Sequence, residues 1–229
     1  MKKIINWFKE YGYYYKMHFV AGGFALIICI ILVVQIFTKT DYDIFVTYLG
    51  PLSHTVEGLE SIENAIKETL DDELSKEVQE ISIRDIVYLN KELFTQSRND
   101  DMFVSSTSNS DAVKLLNSEI SVGDSYIYIL DKEQYDMIKT SGALSKLSEV
   151  VKNVPDGSDT YGVPIKKTEF GNSFACFANY RDDMYLCLRA NTSGSAISAL
   201  KGKDTVEKEF ELHRKVFESI INYTAPSEQ

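Results

Sequence analysis

Apolar and polar positions change period along the chain, and each period predicts a different element. Residues 42–50 are rich in β-branched and aromatic side chains and end at a Gly-Pro pair, which predicts a strand. Residues 56–74 carry apolar side chains at intervals of three or four, which predicts a helix. The period returns to two over residues 78–87. Residues 125–130, SYIYIL, are apolar enough for a strand that is buried on both faces.

The segments between these elements carry turn and capping signals. Residues 91–110 are polar and have no clean period, so we expect an irregular connection there, with Ser110 capping a short helix through Leu116. Asp131 follows the third strand, and we expect its carboxylate to cap a helix that Gly142 ends in a left-handed conformation. The order β-α-β-α-β-α predicts a mostly parallel sheet in an α/β domain with three layers.

The pattern changes after a further short helix, predicted at residues 144–151. Three short strand-like pieces follow, at residues 161–170, 173–179 and 184–191. Pro164 places the first of them at an edge of the sheet, because proline cannot donate to a strand ladder. We expect the other two to form a late antiparallel hairpin. The last predicted element is an amphipathic helix near the C-terminus. The side chains at helical spacing on its predicted core-facing side are Val206, Phe210, His213, Phe217, Ile220 and Ile221.

Near the N-terminus, residues 19–37 form an apolar run without any charge. A helix rises 1.5 Å per residue, so this run is long enough to cross a hydrocarbon core of about 30 Å. It is long for the apolar part of a signal peptide, and no small-residue cleavage pattern follows it. We therefore expect a retained transmembrane helix that anchors the chain in the bilayer, with a single pass.

Flanking charge predicts the direction of this helix. Residues 1–18 carry four lysines and one glutamate, a balance of +3, and because the whole chain carries −10 the remainder carries −13. The positive-inside rule places the N-terminus in the cytoplasm and the acidic bulk outside the cell membrane. The chain is thus predicted to divide into a cytoplasmic basic and aromatic segment (residues 1–18), a transmembrane helix (19–37), a short linker (38–41), an extracytoplasmic domain (42–223) and a tail (224–229).

The acidic composition argues against a nucleic-acid partner, because phosphate binding needs a concentrated basic surface. The three histidines, His18, His54 and His213, lie far apart, and no zinc-type spacing, phosphate-binding loop, dinucleotide motif or nucleophile elbow is present. We therefore expect no catalytic set, no metal and no cofactor.

Two of the three cysteines lie in the predicted late hairpin. If its turn is centred on Arg181 and Asp182, Cys176 and Cys187 fall opposite one another on one face, where a disulfide can form. The alternative is two buried thiols, because a free cysteine packs as a small hydrophobic residue. The sequence leaves both possibilities open.

The stretch from Gly123 to Leu144, with Asp131, Lys132 and Tyr135 in matching places, resembles the third strand region of bacterial extracellular solute-binding proteins. The segment YGVPI that starts at residue 161 is similar to a hinge-proximal segment of the same family. The resemblance implies an α/β lobe of that type. Family members have two lobes that close around a solute, whereas this chain has room for about one lobe, attached to the membrane.

Candidate binding residues follow from the position of ligands in open parallel sheets, which is beyond the carboxyl ends of the strands. After the first strand these residues are Gly50, Ser53 and His54, and after the third they are Asp131 and Lys132. The competing structural interpretations are that Ser53 caps the first helix and that His54 is simply exposed.

Together these patterns favour a non-enzymatic, membrane-tethered extracytoplasmic domain that contacts another membrane or envelope protein. The alternative is a small-solute receptor that serves a transporter or a sensor. The absent catalytic set and the missing second lobe favour the first interpretation.

Overall fold

The computed structural model divides the chain into two compact units, Met1–Asp41 and Tyr42–Gln229. The residues that it describes are 18, 20–31, 42–99, 106–122, 125–191 and 202–226. In the first unit, residues 20–31 are helical. Among the described residues, no helix is both long enough and apolar enough to cross a bilayer. The predicted span at residues 19–37 extends beyond the described residues at both ends and stays a prediction, as do the segments predicted on either side of it.

The second unit contains five strands and eight α-helices in its described ranges. The strands are β1 (Ile44–Gly50), β2 (Ile81–Val87), β3 (Ile127–Asp131), β4 (Gly162–Pro164) and β5 (Met184–Leu188). The helices are α1 (Val56–Glu68), α2 (Leu74–Glu77), α3 (Lys91–Asn99), α4 (Ser106–Val122), α5 (Lys132–Lys139), α6 (Leu147–Val150), α7 (Glu169–Ser173) and α8 (Lys203–Ile221). Two 3₁₀ turns, Ile165–Lys167 and Ala175–Phe177, flank α7.

The strands form one mixed sheet in the order β2-β1-β3-β5-β4. β1 pairs in parallel with both β2 and β3, whereas β5 runs antiparallel to β3 and β4 antiparallel to β5. The α/β class and the β-α-β-α-β-α start are confirmed, but the predicted mostly parallel sheet is instead mixed, because β5 and β4 both enter it in antiparallel pairs. β4 lies at an edge of the sheet, as Pro164 predicts, because the missing N–H of proline is tolerated there.

Alternation along the strands sends side chains to two hydrophobic clusters, one on each side of the sheet. In β1, Ile44, Val46 and Tyr48 join one cluster and Leu49 joins the other. The first side, here called the α1 face, is covered by α1, α6, α7 and α8. The second, here called the α4 face, is covered by α4 and α5. Helices therefore cover the sheet on both sides, in three layers.

The predicted irregular connection is wrong over residues 91–99 and 106–110, because α3 and the first turn of α4 occupy them, while residues 100–105 of that prediction lie outside the described residues. Ser110 lies inside α4 and does not cap it. Most of the helix was not recognised because only two of its described apolar side chains, Ala112 and Leu116, are buried, with Val113 and Ile120 packed against the same cluster, whereas Leu115 is exposed. Polar side chains and an exposed leucine between the buried positions give a weak helical period.

The predicted hairpin is also wrong in its first arm. Residues 173–179 form the end of α7 and a 3₁₀ turn, and the antiparallel pair near the C-terminus is instead β4 with β5. The reason is an aromatic cluster with helical spacing. Phe170 packs against Phe174 and Phe177, with ring centroids 5.4 and 4.7 Å apart. Such spacing buries the three rings on one side of a helical turn.

Both cysteines of this region are free thiols. Cys187 is fully buried in the cluster of the α4 face, whereas Cys176 is half-buried and packs against the cluster of the α1 face. In the sheet, Cys187 lies opposite Tyr128 and Gly162. The cross-strand geometry that would favour a disulfide is therefore absent.

The C-terminal helix is confirmed as α8, and its histidine is structural. His213 is 2% exposed. Its Nδ1 lies 2.7 Å from the carbonyl oxygen of Glu209, and its Nε2 accepts the backbone N–H of Phe45 at 3.1 Å. The ring therefore ties α8 to β1.

Candidate functional site

The carboxyl ends of β1, β2 and β3 meet at one edge of the sheet, because these strands are parallel. The connection after β1 runs through α1 on one face, and the connection after β2 runs through α4 on the other face. The gap between β1 and β3 is therefore the topological switch point, where open α/β sheets bind their ligands.

In this protein the switch point is filled by protein side chains. A Cβ atom on Gly50 would lie 2.7 Å from the ring carbon Cζ of Tyr48 and 2.8 Å from the methyl group of Met184. Only glycine leaves room for both groups at the end of β1. The Tyr48 ring is 1% exposed, and its hydroxyl accepts the backbone N–H of Leu52 at 3.1 Å. Tyr48 and Met184 thus close the crevice beyond β1.

His54 is held beside this closure by two side chains. Asp85 of β2 accepts the backbone N–H of His54 at 2.8 Å and lies 3.1 Å from its Nδ1. The hydroxyl of Tyr180 lies 3.0 Å from Nε2. Because a carboxylate only accepts, Nδ1 donates to Asp85, and in the tautomer that carries its proton on Nδ1 the Nε2 atom accepts from the hydroxyl of Tyr180. Both ring nitrogens of His54 therefore have protein partners.

Ring contacts complete what we call the strand-end cluster, which consists of Tyr48, His54, Asp85 and Tyr180. The rings of Tyr48 and His54 meet edge to face with centroids 4.6 Å apart. The centroids of Tyr48 and Tyr180 are 5.3 Å apart. The cluster joins β1, β2, the loop before α1 and the segment after the second 3₁₀ turn.

The order Asp85–His54–Tyr180 has the form of a carboxylate, a base and a nucleophile. The environment of the phenol argues against that use. Tyr180 is 4% exposed, and burial raises its pKa strongly, with the neighbouring Tyr48, Cys176 and Asp85 adding to the rise. A buried phenol with a raised pKa is a poor nucleophile. The chain of hydrogen bonds instead fixes the loop before α1.

Asp131 lies at the end of β3 and caps α5, as the sequence predicts. One carboxylate oxygen accepts the backbone N–H of Glu133 at 2.9 Å, and the other accepts the side-chain amide of Asn90 at 3.1 Å. Asp131 is fully buried, and burial raises its pKa although the two hydrogen bonds oppose that rise. Its oxygens are thus occupied by protein donors. Gly142 has φ 75°, which agrees with the predicted left-handed end of this region.

The other two predicted residues, Ser53 and Lys132, lie on the surface. Ser53 is not the cap of α1, because Thr55 accepts the Gly58 N–H at 3.2 Å. Lys132 forms an ion pair with Asp136 at 2.8 Å. Three of the five predicted residues, Gly50, His54 and Asp131, therefore lie together at the strand ends. Ser53 and Lys132 do not.

The sequence analysis missed Asp85, Asn90 and Tyr180. Asp85 had a usable signal, because a charged residue near the end of the second parallel strand must lie at the same edge as the ends of the first and third. Tyr180 had none, since it is 126 residues from His54 in the chain.

A groove of about 530 Å³ opens beside the strand-end cluster on the α1 face. It is lined by His54, Gly58, Ser61, Asn64, Ala65, Glu68, Phe174, Ala175 and Cys176. Burial raises the pKa of the Cys176 thiol, so the sulfur is not an activated thiolate. In the described ranges, no three His, Cys, Asp or Glu side chains are grouped to hold a metal ion.

Comparison with known proteins supplies no relative. No family model, no curated protein and no solved structure matches this chain.

Proposed function

We propose that this chain is a non-enzymatic domain, tethered to the cell membrane through residues 19–37, that acts outside the cytoplasm by contacting another membrane or envelope protein. One observation carries the proposal. The place where an open α/β sheet takes its ligand is filled by Tyr48 and Met184 of the chain itself.

The energetic reason concerns how much of the surface of a bound solute the site could bury. A site that captures a small solute usually buries most of the solute surface in a concave pocket. Here Tyr48 and Met184 occupy the end of β1, and the hydrogen-bonding groups His54, Asp85 and Asp131 beside it are already paired. What the domain offers to other molecules is its outer surface, and binding through a surface is the mode of protein–protein contacts.

The location rests on the sequence. The apolar run at residues 19–37 and the basic segment before it support a single-pass anchor with the acidic domain outside. The resemblance of residues 123–144 to solute-binding proteins supports descent from one lobe of such a protein. A single lobe cannot close on a solute as a pair does.

A small-solute receptor is the second candidate. The groove of about 530 Å³ on the α1 face favours it, since this volume lies within the usual range for small-molecule sites. In that function the solute would bind between α1 and the segment 174–176, beside the switch point.

Protease shaving of intact cells tests the location. With tags at both ends of the chain, we expect added protease to remove the C-terminal tag and to leave the N-terminal tag intact. Protection of both tags until the cells are lysed would contradict an extracytoplasmic domain.

Crosslinking of intact cells tests the contact. We expect an amine-reactive crosslinker to shift the 26.0 kDa chain to a discrete larger adduct that contains a second protein. The proposal fails if the chain stays at its own mass while a solute class stabilises it against unfolding.

A further inference from the structure

The segment from α1 to the start of β2 is the most acidic part of the domain. Residues 56–80 contain nine acidic and two basic side chains, a balance of −7 in a chain whose total is −10. Glu63 is half-buried and pairs with Lys67, whereas the other eight acidic side chains are exposed. This surface therefore presents a concentrated negative field.

The groove on the α1 face runs along this acidic segment. Its lining residues extend from His54, just before α1, to Glu68 at the end of the helix, a length of about 20 Å at 1.5 Å per residue. Gly58, Ser61 and Ala65 lie on successive turns, and their small side chains keep the groove open. The opposite wall is the segment 174–176.

One end of the groove combines a carboxylate with aromatic rings. Glu68 lines the groove, is exposed, and forms no ion pair with any basic side chain in the described part of the chain. Phe174 faces the same groove and packs against Tyr223, with ring centroids 5.2 Å apart. The pKa of Tyr223 is raised by burial and by the carboxylates of Glu68 and Glu169, so both carboxylates act on the ring that packs against Phe174.

We propose that this groove docks a basic segment of a partner protein. The inference rests on the proposed interaction function and adds the docking surface and the chemistry of the partner. Lysine or arginine head groups would meet Glu68 and the other exposed acidic side chains of residues 56–80. Their aliphatic stems would lie against Ala65 and the ring of Phe174. Charge complementarity of this kind selects the partner and speeds its association.

The shape and charge of the groove favour a basic peptide segment over a small solute and over an anionic lipid surface. One wall of the groove follows α1 and the other is only the segment 174–176, a shallow shape that suits a peptide segment better than an enclosed solute. An anionic lipid surface would be repelled by the same acidic side chains of residues 56–80.

The experiment measures binding of a labelled probe to the full chain in nanodiscs made of zwitterionic lipid. The probe is a fluorescent, amphipathic, lysine-rich peptide, and its control is the same peptide with glutamate in place of every lysine. We expect saturable binding of the first peptide by anisotropy, weaker binding as salt is raised, and no binding of the second.

Two groove variants and a matched control localise the binding. Glu68→Lys reverses the charge in the groove, and Ser61→Arg fills the groove. Asp111→Lys makes the same charge reversal on α4, which covers the opposite face of the sheet. We expect the groove variants to weaken binding about tenfold or more, and the control variant to change it less than about twofold. All three substitutions are at exposed positions, so circular dichroism should show unchanged unfolding.

Each other outcome has a distinct meaning. Equal weakening by Asp111→Lys, or none by Glu68→Lys, would overturn the groove as the docking site. If the partner adduct in intact cells survives in both groove variants, this inference fails and the proposed interaction function stands. If spermidine or tetramethylammonium binds in the groove and the peptide does not, both the inference and the interaction function are overturned in favour of a solute receptor.

Discussion

Removal of the Asp85 carboxylate should destabilise the domain more than removal of any exposed acid. Asp85 accepts two hydrogen bonds from His54, one from the backbone and one from the ring, and its side chain is only 15% exposed. A hydrogen bond to a charged group contributes about 1.5–3 kcal/mol, and water can replace part of the loss at a partly exposed site. We therefore expect Asp85→Ala to lower the free energy of unfolding by about 2–4 kcal/mol.

The same reasoning predicts how Asp85 and Tyr180 are coupled. Tyr180→Phe leaves Nε2 of His54 buried without its donor, which costs about 1–3 kcal/mol. Both substitutions act through His54, so the loss in the double variant should be smaller than the sum by about 0.5–3 kcal/mol.

Urea unfolding followed by circular dichroism measures these values. In a thermal scan, a loss of 2–4 kcal/mol corresponds to a fall in Tm of about 4–16 °C for a domain of this size. Asp182→Ala, at an exposed acid in the loop before β5, is the control, and we expect a change within about 0.5 kcal/mol. The reasoning is refuted if Asp85→Ala matches this control, or if the Asp85 and Tyr180 effects add fully.

Two further changes test the packing near β4 and the surface charges. Gly171→Ala would put a Cβ 2.7 Å from the carbonyl carbon of Ile165, so we expect urea unfolding to show a loss of about 2 kcal/mol or more. Gly58→Ala meets nothing closer than 3.6 Å, and equal stability of the two variants would contradict this packing. Lys139→Met removes the main cause of the lowered pKa of Asp159, a side-chain hydrogen bond, and should cost about 0.5 kcal/mol at neutral pH because both groups are partly exposed. A lowered folded pKa stabilises above the unfolded pKa, so the difference should vanish as pH falls through the folded pKa of Asp159, and a difference that persists in acid would rule out this cause.

Local signals were sufficient for the first half of the fold. A period of three to four identified α1 and a period of two identified β2, whereas β-branched and aromatic composition identified β1 and a short apolar run identified β3. Each of these elements buries a set of apolar side chains. Asp131 was recognisable as a cap, because its position between a buried strand and a helical period leaves few other uses for a carboxylate.

The failures have identifiable physical causes. Residues 173–179 are a short, mostly apolar run with two phenylalanines, which imitates a strand. Their actual partners are set by the contact of Phe170 with Phe174 and Phe177, an aromatic packing that only the folded chain specifies. α4 was predicted only as a short helix from Ser110 through Leu116, because a long helix that buries one narrow stripe leaves a mostly polar sequence.

The candidate site was likewise predicted in part: its location followed from the sequence, but its packing did not. The rule for parallel sheets correctly located the strand ends, and with them Gly50, His54 and Asp131. It did not indicate that Tyr48 and Met184 would close the crevice, because Met184 comes from a distant segment of the chain.

The central claim is that the strand ends are closed by protein side chains and capture no solute. Its most direct test is the thermal unfolding of the full chain in nanodiscs, with and without saturating pools of amino acids, sugars and short peptides. A solute present at 100 times its Kd adds about 2.7 kcal/mol to the stability of the native state. This would raise Tm by about 5–10 °C. The account predicts no pool-dependent rise above about 1 °C. A reproducible rise of several degrees with one solute class would contradict it.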